Sequence, residues 1–332
     1  MQIPAFLQGC IAPVFTVFKE NGQLDLDGQC NLLDFLAQRR PVSAYFIRSG
    51  MGQMYTFNLD ETIQFFDRVS QHLGSTKPML AGCSGIWHPA TGQPADPTQY
   101  AYDACELIRA ATATGMSAVV LTVPEALYGA SALSYEEEVQ RYMNAVCSIA
   151  EIPIVMYQPQ RTPSHCLLRP AFLSKLVDDF KIVGIKASQT DGHYVYELIR
   201  AVKEKNFAYI CGNEHMLYAS AYTGARAVIG QGSMLNPSLL AELISSISTA
   251  KHETVIDIQD RINLLCAACS NPVVFFKQWA NQEGYQVSLT QRNESLDSVP
   301  LQPEPYSDKD FAKILALILE AEILYPPESF AL

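Results

Sequence analysis

The chain has 332 residues, enough to bury a substantial core, and its 48% hydrophobic content describes a globular protein. A formal charge of −11, with 23 lysines and arginines and no run of them, excludes the basic footprint of a nucleic-acid binder; small anionic substrates stay open, because a pocket answers to its local field. No stretch approaches the ~18 continuous apolar residues that a membrane helix needs.

From the N-terminus, apolar strand-like runs alternate with helical patterns. The first run, 9–15, contains Gly9-Cys10-Ile11-Ala12-Pro13-Val14-Phe15 and leads through Asn21-Gly22-Gln23-Leu24-Asp25 to a helix over 27–39. Leu7-Gln8-Gly9-Cys10 is similar to a lipoprotein cleavage site, but no basic and apolar leader precedes it, so it is read as part of strand one. Strand 43–48 ends on Ser49-Gly50-Met51-Gly52-Gln53, and a helix follows over 59–73. Strand 79–83 runs into the Pro/Gly-rich loop Trp87–Pro97, a lid or a plain insertion, whose His88 is an acid/base candidate or, the commoner case, a solvated loop histidine. Helix 97–114 and strand 117–122 lead to Val123-Pro124-Glu125-Ala126-Leu127-Tyr128, then to helix 134–150, where Ser134 and Glu137 have capping-box spacing.

Strand 153–157 ends on Tyr157 and is followed by Gln158-Pro159-Gln160-Arg161, then by helix 168–178. Strand 181–186 carries Val183-Gly184-Ile185-Lys186. Helix 191–204, strand 207–211, helix 213–223, strand 226–230 and helix 236–249 complete eight strand–helix repeats, with Asp191 and Asn213 at helix starts. Eight such repeats predict an α/β fold of the (β/α)₈ TIM-barrel type rather than an open sheet. Beyond residue 250, helices are expected over 252–269, 271–284 and 307–323, with a loop over 288–306 that holds Pro300, Pro303 and Pro305. The expected organisation is a barrel over 1–250 and a C-terminal helical extension over 251–332, packed on it as a single unit.

The nine cysteines are odd in number and scattered through apolar segments, which reads as a reduced, cytoplasmic chain. Cys266-Ala267-Ala268-Cys269 is the one C-x-x-C; it lies in a helical pattern without a second pair, so core packing is expected there and no metal.

Lys186 closes an apolar run, where a buried strand would deliver its amine into a barrel mouth. Desolvation disfavours the ammonium and leaves the neutral amine that attacks a keto group. Alone, a lysine closing a strand is more often a solvated edge residue. Tyr157 ends the strand before it, and parallel barrel strands converge at their C-termini, so phenol and amine are expected to meet.

Taken in order, the segments 9–16 and 21–25, the loop 49–53, Tyr157 with Arg161, Gly184-Ile185-Lys186, Cys211-Gly212-Asn213-Glu214 and Ala227-Val228-Ile229-Gly230 resemble the pyruvate-dependent class I aldolase/lyase family that includes dihydrodipicolinate synthase and N-acetylneuraminate lyase. The resemblance spans roughly residues 7 to 290. It implies that Lys186 forms a Schiff base with pyruvate or a pyruvate-derived 2-oxo acid and that Tyr157 shuttles the proton. Ser49, Gly50 and Met51 would hold the substrate carboxylate, with Arg161, Ile229 and Tyr128 as further substrate-binding residues. It also implies an aldehyde as second substrate, no metal or organic cofactor, no nucleic-acid or membrane partner, and a homo-oligomer, dimer or tetramer.

Three departures stand out. The family's paired threonines are replaced by Gly50 and Met51 and its glutamate by Gln53, so the relay hydroxyl is missing unless Ser49 substitutes. A Pro-Tyr-Tyr motif, one tyrosine of which reaches a neighbouring subunit, is replaced by residues 123–128, with Tyr128 shifted in register. The spacing from Tyr157 to Arg161 is one residue shorter than in the synthases. The expected activity is therefore a class I aldolase or lyase; a dehydratase using the same imine, and a catalytically weakened 2-oxo-acid-binding member with a regulatory role, are the alternatives.

Overall fold

Eight short parallel strands close into a barrel in sequence order, β1 next to β2 and so round to β8, which pairs back onto β1. They are β1 Gly9–Pro13, β2 Ala44–Ile47, β3 Met79–Gly82, β4 Ala118–Thr122, β5 Ile154–Gln158, β6 Ile182–Ala187, β7 Ala208–Cys211 and β8 Ala227–Val228. This computed structural model describes residues 3–39, 41–295 and 299–326. From β2 to β8 every strand position is buried. A parallel barrel covers its strands on both faces, which is why they read as unbroken apolar runs rather than alternating ones.

The faces still alternate in what they touch. Ile11, Ala44, Phe46, Leu80, Val120 and Val155 fill the barrel interior, while Tyr45, Ile47, Val119 and Met156 join the layer beneath the helices. Leu7, carried by a short 3₁₀ turn at Ala5–Leu7, is fully buried in that interior.

The outer ring comprises α1 Leu26–Ala37, α2 Leu59–Leu73, α3 Pro97–Ala113, α4 Tyr135–Ile149, α5 Pro170–Asp179, α6 Gly192–Val202 and α7 Leu217–Thr223, then α8 Gly232–Leu235 and α9 Pro237–Ser246. Their starts are chemically set. Asn58 with Glu61 and Ser134 with Glu137 form reciprocal capping boxes, and Asp191 accepts from Tyr194 N. The helix expected over 236–249 is present as α9, and a short helix that was not expected precedes it. Asn236 accepts from Leu239 N and Pro237 occupies the first helical position, so α9 starts afresh there and α8 forms a separate turn before it. The helix expected over 213–223 opens as a 3₁₀ turn at Glu214–Met216, and the strand expected over 226–230 narrows to two residues.

Beyond the ring come α10 His252–Ala268, α11 Pro272–Gln282 and α12 Asp308–Leu324. The stretch expected as a plain loop over 288–306 carries a two-residue antiparallel pairing of β9 Gln291–Arg292 with β10 Pro300–Leu301; residues 296–298 of it lie outside the described residues. Phe276 of α11 packs edge-on to Phe15 at 5.8 Å and against Phe35 of α1 at 5.0 Å, so this helix shares the barrel's outer core. Among the described residues no helix is long and apolar enough to cross a membrane.

Candidate active site

The pairing of β5 with β6 sets Tyr157 directly across from Lys186. The strands approach closely here: a Cβ on Gly184 would lie 2.8 Å from the Ala208 carbonyl oxygen, so the position beside the lysine has no room for a side chain. Lys186 is buried, with its Nζ 4.3 Å from the Tyr157 ring centroid and 5.8 Å from that of Phe46. Burial is the main cause that pulls its pKa down to about 8, opposed by Glu214 and Cys211. The neutral amine is thus within reach near neutral pH. The Tyr157 phenol moves the other way: burial first and then Tyr55 push its pKa well up, while Ser188 and Arg161 oppose them. At neutral pH it stands as a proton donor.

Amine and phenol open onto a cavity of about 430 Å³ at the C-terminal ends of the strands, the end where barrel enzymes carry their chemistry. Met51, Ile229, Ser188 and Glu214 share its lining with Tyr157 and Lys186, together with Gln160, Asn213 and Gln231.

The loop 49–53 follows β2. A Cβ on Gly50 would stand 3.0 Å from the Tyr157 hydroxyl, so the missing side chain is what lets the phenol come this close. Neither the Gly50 nor the Met51 amide donates a hydrogen bond to a described residue. Ser49 is fully buried; its hydroxyl donates to Val14 O at 3.1 Å and accepts from Gly52 N at 3.0 Å, which shapes the loop. At the far end Gln53, with a left-handed φ of 61°, forms a two-bond clamp with the Arg292 backbone: its amide nitrogen donates to Arg292 O, and its oxygen accepts from Arg292 N at 3.1 Å.

Arg161 and Tyr128 lie outside the lysine cavity. Arg161 is half-exposed, pairs with Glu294 at 3.4 Å and lies 4.3 Å over the Tyr55 ring. Tyr128 is exposed, its ring tilted at 4.1 Å from His165 and edge-on at 5.9 Å to Tyr135. Both border a neighbouring groove of about 310 Å³ with Trp87 and Glu125. His88 is bound rather than solvated, since its Nδ1 accepts from Ala90 N at 3.1 Å to cap the 3₁₀ turn Pro89–Thr91. The Trp87 indole donates to Gln93 O at 2.9 Å and folds that loop on itself.

Cys269 belongs to the core, whereas Cys266 reaches the cavity wall; all nine cysteines are free. Among the described residues no group of three His, Cys, Asp or Glu side chains could hold a metal ion. Several cavity residues went unassigned in the sequence, among them Ser188, Glu214 and Gln231. Ser188 carried a usable signal, being two residues after Lys186 on a strand and so on the same face. Glu214 stood at the end of the segment 211–214 without a role and Gln231 carried no signal, because loop geometry after β7 and β8 decides where they point.

Comparison with known proteins gives a consistent picture. A family model described as "Dihydrodipicolinate synthetase family" matches residues 6–294. The chain is 24% identical to the putative 2-dehydro-3-deoxy-D-gluconate aldolase YagE of Escherichia coli, over 78% of this chain and 83% of that one. It is 26% identical to the 4-hydroxy-tetrahydrodipicolinate synthase of Methylococcus capsulatus, over 86% and 93%. Among solved structures, YagE in complex with pyruvate superposes with a TM-score of 0.71 at 21% identity, covering 95% of this chain and 98% of that one. CdNal from Clostridium difficile, in complex with mannosamine, gives a TM-score of 0.74 at 14% identity, covering 94% and 98%.

Proposed function

The chain belongs to the dihydrodipicolinate synthetase family, whose members are lyases and aldolases, and from that premise we propose that it is a class I enzyme acting on pyruvate, or a pyruvate-derived 2-oxo acid, through a Schiff base on Lys186. One observation carries the reading: a buried amine with a lowered pKa, stacked on a phenol in register across β5 and β6, at the wall of the barrel-mouth cavity. The YagE structure with pyruvate supports the choice of donor.

The neutral Lys186 amine attacks the keto carbon, and loss of water leaves an iminium. That cation draws electrons from the neighbouring carbon–carbon bond, so a bond there breaks, or the enamine formed in its place attacks an aldehyde. The reaction so written needs no metal or organic cofactor, because the iminium is itself the electron sink. The amides of Gly50 and Met51 hold the carboxylate, with Ile229 closing the methyl side. Tyr157, a donor at rest, returns and takes the proton beside the iminium, whose charge makes the phenolate accessible.

Arg161 and Tyr128 act, on this reading, on the outer part of a second substrate that reaches the neighbouring groove. The exposed Tyr128–His165 pair also supports a homo-oligomer, dimer or tetramer, and the free cysteines support a reducing cytoplasm. Residues 1–250 and 251–332 work as one unit, a reading supported by the packing of Phe276 on Phe15. A dehydratase would use the same imine. Gly50 in place of a hydroxyl favours a further reading, a member that binds 2-oxo acids and turns over weakly.

The test is intact-mass measurement after borohydride reduction with a panel of 2-oxo acids. Pyruvate should add one carboxyethyl-sized mass to the wild type and none to Lys186→Ala, while Tyr157→Phe keeps the adduct and loses roughly 10²–10⁴-fold of turnover. An unlabelled wild type at saturating pyruvate would sink the mechanism. Adduct without turnover on any aldehyde would select the binding protein.

A further inference from the structure

Around Lys186, three strand ends give up a side chain to make room for a polar group. Gly50 after β2 admits the Tyr157 hydroxyl, Gly212 after β7 admits the Ser188 hydroxyl, and Gly230 after β8 admits the Glu214 carboxyl. At the last two, an added Cβ would come closer to the named group than carbon ever does. None of the three glycines has a positive φ, so space rather than backbone freedom explains them.

Glu214 is the carboxyl of this cavity, and it has no role in the chemistry so far. It opens the 3₁₀ turn after β7, is buried, and lines the cavity that holds Lys186. Its Oε1 accepts from Gly232 N, which fixes the carboxyl in place. Burial pushes this carboxyl's pKa up while Lys186 opposes the rise, and burial lowers the lysine while Glu214 opposes the fall. Desolvation leads on both sides, so burial disfavours the ion of each group relative to water.

The step that needs an acid is the loss of hydroxyl from the carbinolamine. The loop 49–53 has none to give: Gly50 is bare, Met51 ends in a thioether, and the Ser49 hydroxyl is spent on Val14 O. Resting on the Schiff-base reading of Lys186, we propose that Glu214 is a catalytic acid of this chain, protonating the departing hydroxyl of the carbinolamine on Lys186. The amine nitrogen has by then bonded to C2 of pyruvate and passed its proton to the former keto oxygen. Glu214 delivers its proton to that hydroxyl, the C2–O bond breaks, water leaves, and the nitrogen lone pair forms the C=N bond. The products are an iminium and a carboxylate, so the charge created on one is matched on the other, and the pair is stabilised where neither ion alone would be. The same carboxylate takes the proton back when the product imine is hydrolysed.

The experiment is rapid-quench borohydride trapping with pyruvate, read by intact mass, on wild type and Glu214→Gln, with binding of lactate as control. Lactate has the carboxylate but no keto carbon and forms no imine. Glu214→Gln should bind lactate within about threefold of wild type and form the adduct at least about 100-fold more slowly. Adduct formation at the wild-type rate overturns the role of Glu214 and leaves the Lys186 reading standing. A wild type that no 2-oxo acid labels overturns both. Should Glu214→Gln lose lactate binding with its fold, Gly230→Ala takes its place, since the added methyl drives the carboxyl from its seat; a slowed adduct supports the proposal and an unslowed one overturns it.

Discussion

Lys186 holds its amine close to neutrality at the expense of stability. Its folded pKa of about 8 lies below that of a lysine in the unfolded chain, about 10.4. Between those values the unfolded chain holds the proton and the folded one releases it, so stability rises with pH across that window; below about pH 8 the folded protein carries the full penalty, on the order of 3 kcal/mol. Lys186→Met should therefore raise the Tm at pH 7 and raise it less at pH 10, as thermal melts at the two pH values will measure. A variant that melts at or below wild type at pH 7 would show that the amine is not desolvated. Lys277 warns against reading such a shift alone: it is buried too and brought down to about 7, yet its Nζ simply donates to Thr290 O at 3.0 Å, away from the cavity. What sets Lys186 apart is a phenol in register and an open volume in front of it.

At the scale of elements, the loop 49–53 owes its shape to a segment far along the chain. The Arg292 side chain donates to Gly22 O at 2.7 Å and Thr56 O at 2.6 Å, pairs with Glu61 and lies 4.7 Å over the Phe18 ring, while its backbone holds Gln53. Gln53→Ala removes two hydrogen bonds of about 0.5–1.5 kcal/mol each from the anchor and none from the lysine. The KM for pyruvate should rise on the order of tenfold with the adduct rate at saturation within about threefold, measured by trapping across a pyruvate series; an unchanged KM would detach the clamp from carboxylate binding. This clamp was not legible in the sequence, because one partner is the backbone of a two-residue strand inside a proline-rich stretch. The eight strands were legible, since burial on both faces writes itself as apolar runs, and so was the meeting of Tyr157 with Lys186. Lost from sight were the 3₁₀ turn at Glu214–Met216 and the separate turn α8 at Gly232–Leu235, where local turn geometry overrides the longer period, and the direction of Arg161, which a glutamate 133 residues away holds outside the cavity.

For the molecule as a whole, the C-terminal helices finish the barrel. Phe276 and Trp279 of α11 close on Phe35 at 5.0 and 5.4 Å, and the Arg39 guanidinium lies 4.3 Å over Trp279. Phe276 is fully buried, so Phe276→Ala should cost about 3–5 kcal/mol, measured by urea unfolding. A loss under about 1 kcal/mol would mean that the helices are an appendage the barrel does not need. The same geometry has a consequence in time. Gln53 and Arg292 are 239 residues apart, and the ion pair of Arg39 with Glu322 spans 283. At a synthesis rate of about 5–20 residues per second, the loop 49–53 leaves the ribosome roughly 10–50 s before the residue that clamps it. The lysine emerges midway between them, so a nascent chain carries the Lys186 amine before the loop beside Tyr157 has the partner that holds it.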